Sequence, residues 1–157
     1  GYCTPELTGA SESQLFKAMM HQIDNPSAFL PVSRVRVQPA TGAAFAEGAL
    51  WRSMRYDGTG PLAGKVLTEH IYADAEARRI RFVGLQSNGK EGEYETCLEL
   101  HTDPLRIELY RRERATGKRV VSETPLEEVI EAMNITLRLA RAAQAEADDP
   151  MCIGVKA

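Results

Sequence analysis

The feature that most restricts the fold is a long amphipathic segment near the end of the chain, from Pro125 to about Asp148. Thr124 suits an N-cap, and Pro125 suits a first helical turn. Apolar residues recur at three- and four-residue spacing, which is typical of a helix with one apolar face: Leu126, Val129, Ile130, Met133, Leu137 and Ala140. Such a helix is roughly 36 Å long. A helix of this length with one apolar face needs a broad surface against which to pack.

The middle of the chain supplies a candidate for that surface. From Val32 to about Arg114, β-branched and aromatic residues alternate with charged ones, and turn residues such as Asp57-Gly58 separate the segments. Six strands with short links favour an antiparallel meander. The predicted strands are one containing Val35 and Val37, followed by Ala44–Tyr56, Lys65–Ala73, Arg79–Leu85, Glu93–Thr102 and Leu105–Arg114. A seventh short strand is expected at Lys118–Ser122.

A helical region precedes the strands. Ser11 to Ile23 has helical periodicity, with Ser11 and Gln14 placed as a capping box. Asn25-Pro26 ends this helix, and a second helical turn follows before Pro31. The predicted fold class is α+β: a curved antiparallel sheet of six to seven strands wrapped around a long C-terminal helix, with a short helix pair near the N-terminus.

Length and composition indicate one ordinary domain. The chain has 157 residues, 43% of them apolar and 26% charged. We expect a single domain over residues 1–149 and a loosely attached tail over residues 150–157. No uncharged apolar run approaches the roughly 20 residues of a membrane-spanning helix. The net charge of −3 argues against nucleic acid as a partner. We expect a monomer or a weak homodimer.

The cysteines and the chain start bear on the compartment. Cys3, Cys97 and Cys152 are odd in number and widely spaced, so they predict neither a disulfide framework nor a zinc site. A reducing compartment, and hence the cytoplasm, is the expected location. The start at Gly1, with no charged and apolar leader, suggests a trimmed N-terminus, which leaves an organelle-targeting peptide open.

The order of elements resembles the START-like or helix-grip superfamily, also called SRPBCC, which includes polyketide cyclases and the birch-pollen allergen group. Short patterns resemble its AtaL-like branch: Leu7-Thr8, Gln14-Leu15-Phe16, Asn25-Pro26 and Phe29-Leu30-Pro31. The resemblance covers about Leu7 to Ala145. Members of the superfamily usually have a strand before the helix pair, and Gly1 to Thr8 leave little room for one.

The resemblance implies a cavity between the concave sheet face and the long helix, suited to a lipid, a polyketide-like molecule or an isoprenoid. The superfamily has no shared catalytic motif, so it assigns no role to any residue here. The chain also lacks the G-x-S-x-G, H-E-x-x-H and C-x-x-C motifs. We therefore expect no metal and no cofactor.

Two neighbouring residues are candidates for proton transfer. Alternation places Glu69 on one strand face with Leu67 and Ile71, and His70 on the other face with Tyr72. On a concave apolar face, Glu69 could act as a general acid or base. The alternatives are a rim glutamate paired with an arginine and an ordinary histidine on the sheet surface.

Seven further residues are candidate ligand contacts. Trp51 either fills the core or stacks on the ligand, and an inward Arg52 could bind a carboxylate or phenolate. Tyr94 is a candidate cavity hydroxyl, and Asn134 either faces the cavity or sits at the edge of the helix stripe. The full set of expected contacts is Trp51, Arg52, Tyr94, Leu98, Met133, Asn134 and Leu137.

Three functions remain open on the sequence. The first is binding of a small hydrophobic or aromatic ligand. The second is a cofactor-free cyclase or dehydratase that uses Glu69 or His70 with Tyr94 or an arginine. The third is an interaction domain whose cavity is filled by its own side chains. A polar cavity with a carboxylate or imidazole near an oxyanion donor favours catalysis, and an apolar one favours carriage.

Overall fold

The computed structural model describes residues 1–42, 45 and 48–149. This part of the chain has two helices and eight strands: a short first strand and a helix, then seven consecutive strands and a final long helix, with a short 3-10 helix at Pro26–Ala28 after the first helix. The elements are β1 (Tyr2–Cys3), α1 (Glu12–Asp24), β2 (Val32–Pro39), β3 (Leu50–Tyr56), β4 (Val66–Asp74), β5 (Arg79–Leu85), β6 (Glu91–His101), β7 (Arg106–Glu113), β8 (Arg119–Val120) and α2 (Leu126–Asp148).

The strands form one antiparallel sheet in the order β1-β7-β6-β5-β4-β3-β2, with β8 also paired to β7. Neighbours in the sheet from β2 to β7 are neighbours in the sequence, so the predicted meander and the α+β fold class are confirmed. The strand expected before the helix pair is present but has two residues, and it places Tyr2 opposite Leu109.

The helices begin close to where capping chemistry predicts. The Ser11 hydroxyl accepts a hydrogen bond from the Gln14 backbone N–H at 3.2 Å, which fixes the start of α1. Helix α2 starts one residue later than predicted. Pro125, rather than Thr124, occupies its N-cap position, and no side chain caps it.

The strand predicted from Ala44 to Tyr56 begins at Leu50, so its described part is shorter than expected. Ala44 and Glu47, from the beginning of that prediction, lie outside the described residues, as do residues 150–157, where a loose tail was expected. No helix in the described ranges combines the length and the apolarity that crossing a bilayer requires.

The main core lies between the inner face of the sheet and the two helices. Helix α1 contributes Leu15, Met19 and Ile23, all at most 2% exposed. Helix α2 buries a stripe that differs in part from the predicted one. Ala132 and Thr136 are buried in addition, Ile130 and Leu137 are only half-buried, and Leu126 is exposed. From the sheet come Ile71, Ile80, Leu98, Leu100 and Ile107. Burial of these side chains holds the sheet curved around α2.

The outer face of the sheet is also partly buried. Glu95 is 3% exposed and lies between two arginines, with Arg81 Nη1 and Arg112 Nε each 2.7 Å from one of its oxygens. Cys97 and Tyr110, paired across β6 and β7, are buried beside it. Charged and aromatic side chains thus cover this face instead of a second layer of helices.

Candidate functional site

A cavity of about 370 Å³ lies between the inner face of the sheet and helix α2. Strands β3 to β7, the C-terminal part of α1 and the first half of α2 all contribute to its wall. Inward-facing residues of the strands, such as Arg52 and Met54 on β3, make up much of this wall. Its apolar lining includes Leu30, Met54, Leu67, Phe82, Val129 and Met133.

A charged pair, Arg52 and Glu69, interrupts this apolar wall. The two residues are direct cross-strand partners on β3 and β4, so both side chains project inward. Arg52 Nε and Nη2 lie 2.9 and 2.5 Å from Glu69 Oε1. The side chain of Arg52 is 4% exposed and that of Glu69 is 14% exposed. Because the two charges compensate each other, the pair can stay in a largely apolar surrounding.

Arg52 also holds the end of helix α1. Its Nη1 donates to the carbonyl oxygens of Gln22 and Ile23 at 2.7 and 3.1 Å. The last carbonyls of a helix have no partner within the helix, so the guanidinium satisfies groups that would otherwise be unpaired. The ring of Phe82 lies 5.2 Å from Arg52 Cζ. Sheet and helix are therefore joined at the cavity wall by one side chain.

Polar contacts continue from α1 to α2. Gln22 Nε2 donates to Thr136 Oγ1 at 2.9 Å, and that hydroxyl donates to the Ala132 carbonyl at 2.8 Å. Gln22 and Ala132 line the cavity. A polar chain thus runs from Glu69 through Arg52 and α1 to α2, along one side of the cavity.

Tyr94 and Arg111 line another part of the wall, nearer to solvent. The Arg111 guanidinium carbon lies 4.3 Å from the centre of the Tyr94 ring, and its Nη2 is 3.3 Å from Glu123 Oε1. The arginine is thus engaged by an aromatic face and by a carboxylate. The Arg111 charge in this part of the wall is thus compensated by Glu123.

Four of the predicted site residues come together in the cavity wall: Arg52, Glu69, Tyr94 and Met133. Leu98 is fully buried in the core cluster, and Leu137 packs against the same cluster. Both side chains therefore belong to the core, and neither lines the cavity. Asn134 is exposed on the far side of α2, so the expectation that it faces the cavity is wrong.

Trp51 and His70 lie on the outer face of the sheet, opposite each other on β3 and β4. The Trp51 ring has the Arg36 guanidinium 5.8 Å from its centre, so this tryptophan neither fills the main core nor lines the cavity. His70 Nδ1 is 3.0 Å from Glu91 Oε2. The structure therefore separates His70 from Glu69 by the thickness of the sheet.

Glu91 organises this outer cluster. Tyr72 donates to Glu91 Oε2 at 2.5 Å, beside His70. Burial alone would raise the pKa of Glu91, but hydrogen bonds from Tyr72 and His70 together with the nearby Arg114 charge hold the pKa below its ordinary value. Burial and the Glu91 contact raise the pKa of Tyr72 to about 12. His70, Tyr72 and Glu91 thus form a hydrogen-bonded cluster on the outer face of the sheet.

Sequence reasoning missed three features of the cavity. Gln22 and Thr136 supply its polar link between helices, and Thr136 could have been found because it continues the α2 stripe three residues after Met133. Gly84 is the third, being the cross-strand partner of Glu69 on β5. A Cβ added there would meet no atom within 4 Å, so glycine leaves part of the cavity open.

Comparisons with known proteins find similarity in structure. No family model and no curated protein matches the chain. The di-domain aromatase/cyclase StfQ from the steffimycin biosynthetic pathway is 13% identical with a TM-score of 0.54, and the match covers 94% of this chain and 46% of that one. The chain thus spans less than half of StfQ. The ZhuI aromatase/cyclase from Streptomyces sp. R1128 is 12% identical with a TM-score of 0.53, over 96% of this chain and 94% of that one.

At identities of 13% and 12%, these similarities show a common fold and nothing about a common function. The resemblance to the AtaL-like branch stays a prediction. The curved antiparallel sheet and the long final helix, from which the resemblance to the helix-grip superfamily was drawn, are both present in this chain. The chain therefore has a helix-grip fold, with a curved antiparallel sheet wrapped around a long C-terminal helix.

Proposed function

We propose that the chain binds a small hydrophobic or aromatic molecule in the cavity between the sheet and α2. The cavity itself carries this proposal. Its volume of about 370 Å³ suits a small-molecule pocket, and side chains such as Met54, Phe82 and Met133 make much of its wall apolar. A cavity-free core would have favoured the third function left open by the sequence, an interaction domain.

A cofactor-free cyclase or dehydratase is the second candidate. Glu69 favours it, because a fixed carboxylate in an apolar wall can accept a proton from a bound carbonyl compound. Arg52 holds that carboxylate in place, and the Tyr94 ring lies in the same cavity. The two similar solved structures, both aromatase/cyclases, support the same reading. Aromatic product formed from a poly-β-ketone substrate, and lost in Glu69→Gln, would establish catalysis.

The binding proposal is tested by looking for the ligand. Native mass spectrometry of protein purified from its source should reveal a retained lipid or aromatic compound. Titration with the neutral fluorescent probe 1-aminoanthracene gives a second readout that does not depend on the natural ligand. Protein that carries no added mass and gives no probe binding would overturn the proposal.

A cavity-filling variant localises the binding. Leucine at Gly84 would project into open space on the inner face, so Gly84→Leu should fold and yet lose the probe. Ser53→Leu adds the same side chain to the outer face of β3 and is the matched control. Unchanged probe affinity in folded Gly84→Leu would show that the probe binds elsewhere.

A further inference from the structure

We propose that the ligand carries a hydroxyl or similar hydrogen-bond donor at its polar end, that this donor binds the Glu69 carboxylate, and that ligands with a carboxylate there are rejected. This inference rests on the proposed function, because it concerns what the cavity selects. It also replaces the expectation that Arg52 binds a ligand carboxylate or phenolate.

One oxygen of Glu69 is free to accept. Both hydrogen bonds from Arg52 go to Oε1. Among the described residues, no side chain or backbone group donates to Oε2. No described side-chain oxygen is both buried from solvent and without a partner, so Oε2 is reachable from the cavity that Glu69 lines. An ionised carboxylate only accepts hydrogen bonds, so the matching ligand group must donate one.

Arg52 is poorly placed to attract an anion. A guanidinium has about five N–H groups. The Nε–H and one Nη2–H go to Glu69, and the two Nη1–H groups go to the carbonyls of Gln22 and Ile23, which leaves a single Nη2–H for any ligand. Its positive charge is compensated by Glu69 at 2.5 Å. A ligand carboxylate would have to displace a charged partner that the fold holds in register.

The end of helix α1 adds negative potential at the same place. Gln22 and Ile23 lie in the last turn of α1, where the aligned peptide dipoles leave about half a negative charge. The sum of Arg52, Glu69 and the helix end is therefore slightly negative. Arg111, on the other part of the wall, already faces Glu123. Electrostatics thus favours a neutral donor over an anion at the Glu69 end.

The ligand class that follows is a neutral hydroxylated aromatic or alicyclic compound. Its apolar body would fill the space beside Phe82 and Met133, and its hydroxyl would donate to Glu69 Oε2. A hydrogen bond to a charged acceptor in an apolar site contributes more than one between neutral groups. Fatty acids and aromatic acids of the same size are expected to bind poorly.

The test measures selectivity in the unaltered protein by calorimetric titration with naphthalene, 2-naphthol, 2-methoxynaphthalene and 2-naphthoate. All four share one aromatic body. We expect 2-naphthol to bind about tenfold more tightly than 2-methoxynaphthalene, which keeps the oxygen and lacks the donor, and more tightly still than 2-naphthoate. Binding of naphthalene reports the apolar cavity alone.

Variants locate the donor site. Glu69→Gln removes the charge that compensates Arg52. It should therefore reduce the preference for 2-naphthol over 2-methoxynaphthalene and raise the affinity for 2-naphthoate. Glu76→Gln removes the same charge from an exposed residue outside the cavity lining and should leave the order of affinities unchanged. Circular dichroism checks that each variant folds, and the titrations of unaltered protein stand without them.

Each outcome decides between the two proposals. If naphthalene binds and 2-naphthoate binds as tightly as 2-naphthol, the donor inference is overturned and the binding function stands. The same holds if 2-methoxynaphthalene binds as tightly as 2-naphthol, or if Glu76→Gln changes selectivity as much as Glu69→Gln does. If none of the four compounds binds, the donor inference is overturned, and the proposed function falls with it when native mass spectrometry and 1-aminoanthracene are negative as well.

Discussion

Gln22 on α1 donates a hydrogen bond from its side-chain nitrogen to the hydroxyl of Thr136 on α2, at 2.9 Å in a buried position. The two residues are distant in the sequence, so this contact forms only when the two helices dock. It is also the step that connects the Arg52–Glu69 pair to α2.

The first prediction concerns this contact. Thr136→Val leaves the Gln22 amide buried without its acceptor, so the free energy of unfolding should fall by about 1–3 kcal/mol. In a Gln22→Met background the same substitution should cost much less, since neither side then needs a partner. Urea unfolding of the four proteins measures the coupling, and equal costs in both backgrounds would show that the hydrogen bond contributes nothing.

The second prediction concerns the charged pair. Arg52→Met leaves Glu69 unpaired and removes the donor from two carbonyls of α1, so stability should fall by about 3–5 kcal/mol. The double variant Arg52→Met with Glu69→Met removes both charges and should recover part of the loss. Chemical denaturation measures both. A double variant no more stable than Arg52→Met alone would contradict a penalty from the unpaired carboxylate.

The third prediction concerns acid stability. Burial would raise the pKa of Glu95, but hydrogen bonds from Arg112 and Arg81 outweigh it and hold the pKa below its ordinary value. A lowered folded-state pKa gives stability that is present above the unfolded-state pKa and is lost as pH falls through the folded value. Melting temperature should therefore fall on acidification more steeply in the unaltered protein than in Glu95→Gln.

The control for Glu95→Gln is Glu76→Gln, at an exposed residue in the β4–β5 turn. It should leave the steepness of the acid profile unchanged. Parallel profiles for the unaltered protein and Glu95→Gln, measured by thermal denaturation between about pH 7 and pH 3, would refute the assignment.

The fourth prediction concerns thiol reactivity. Cys97 is fully buried on the outer face, and burial followed by the nearby Glu95 charge raises the pKa of its thiol. Since the thiolate is the reactive form, Cys97 should resist alkylation while the exposed Cys3 reacts. In a Cys152→Ser variant, mass spectrometry should show one fast adduct in the folded protein and two after unfolding. Two fast adducts without denaturant would contradict the buried outer layer.

The strand pattern predicted part of the cavity and left its orientation open. Alternation in β4 correctly grouped Glu69 with Leu67 and Ile71 and opposed it to His70. Which face is concave depends on how the whole sheet curves, and no single strand contains that information. The orientation of Trp51 could not be predicted for the same reason. A large apolar ring favours burial, but in the structure the adjacent Arg52 faces inward and Trp51 faces outward.

Cross-strand and helical geometry explain the other differences between the sequence-based expectations and the structure. Burial of Arg52 needs Glu69 directly opposite it, and strand register is set by long-range pairing that the sequence does not display. In α2 each residue turns by about 100°. Asn134 therefore points away when Met133 points inward, and Thr136 returns to the buried side.

The alternation of β3 and β4 has a practical consequence for engineering. Because adjacent residues such as Arg52 and Trp51 face opposite sides of one sheet, a combinatorial library confined to the inward-facing positions would reshape the cavity and leave the chemistry of the outer face intact. A complementary library at the outward-facing positions would alter surface charge and solubility while leaving the shape of the cavity unchanged. Selectivity and colloidal behaviour are thus separately tunable in this scaffold.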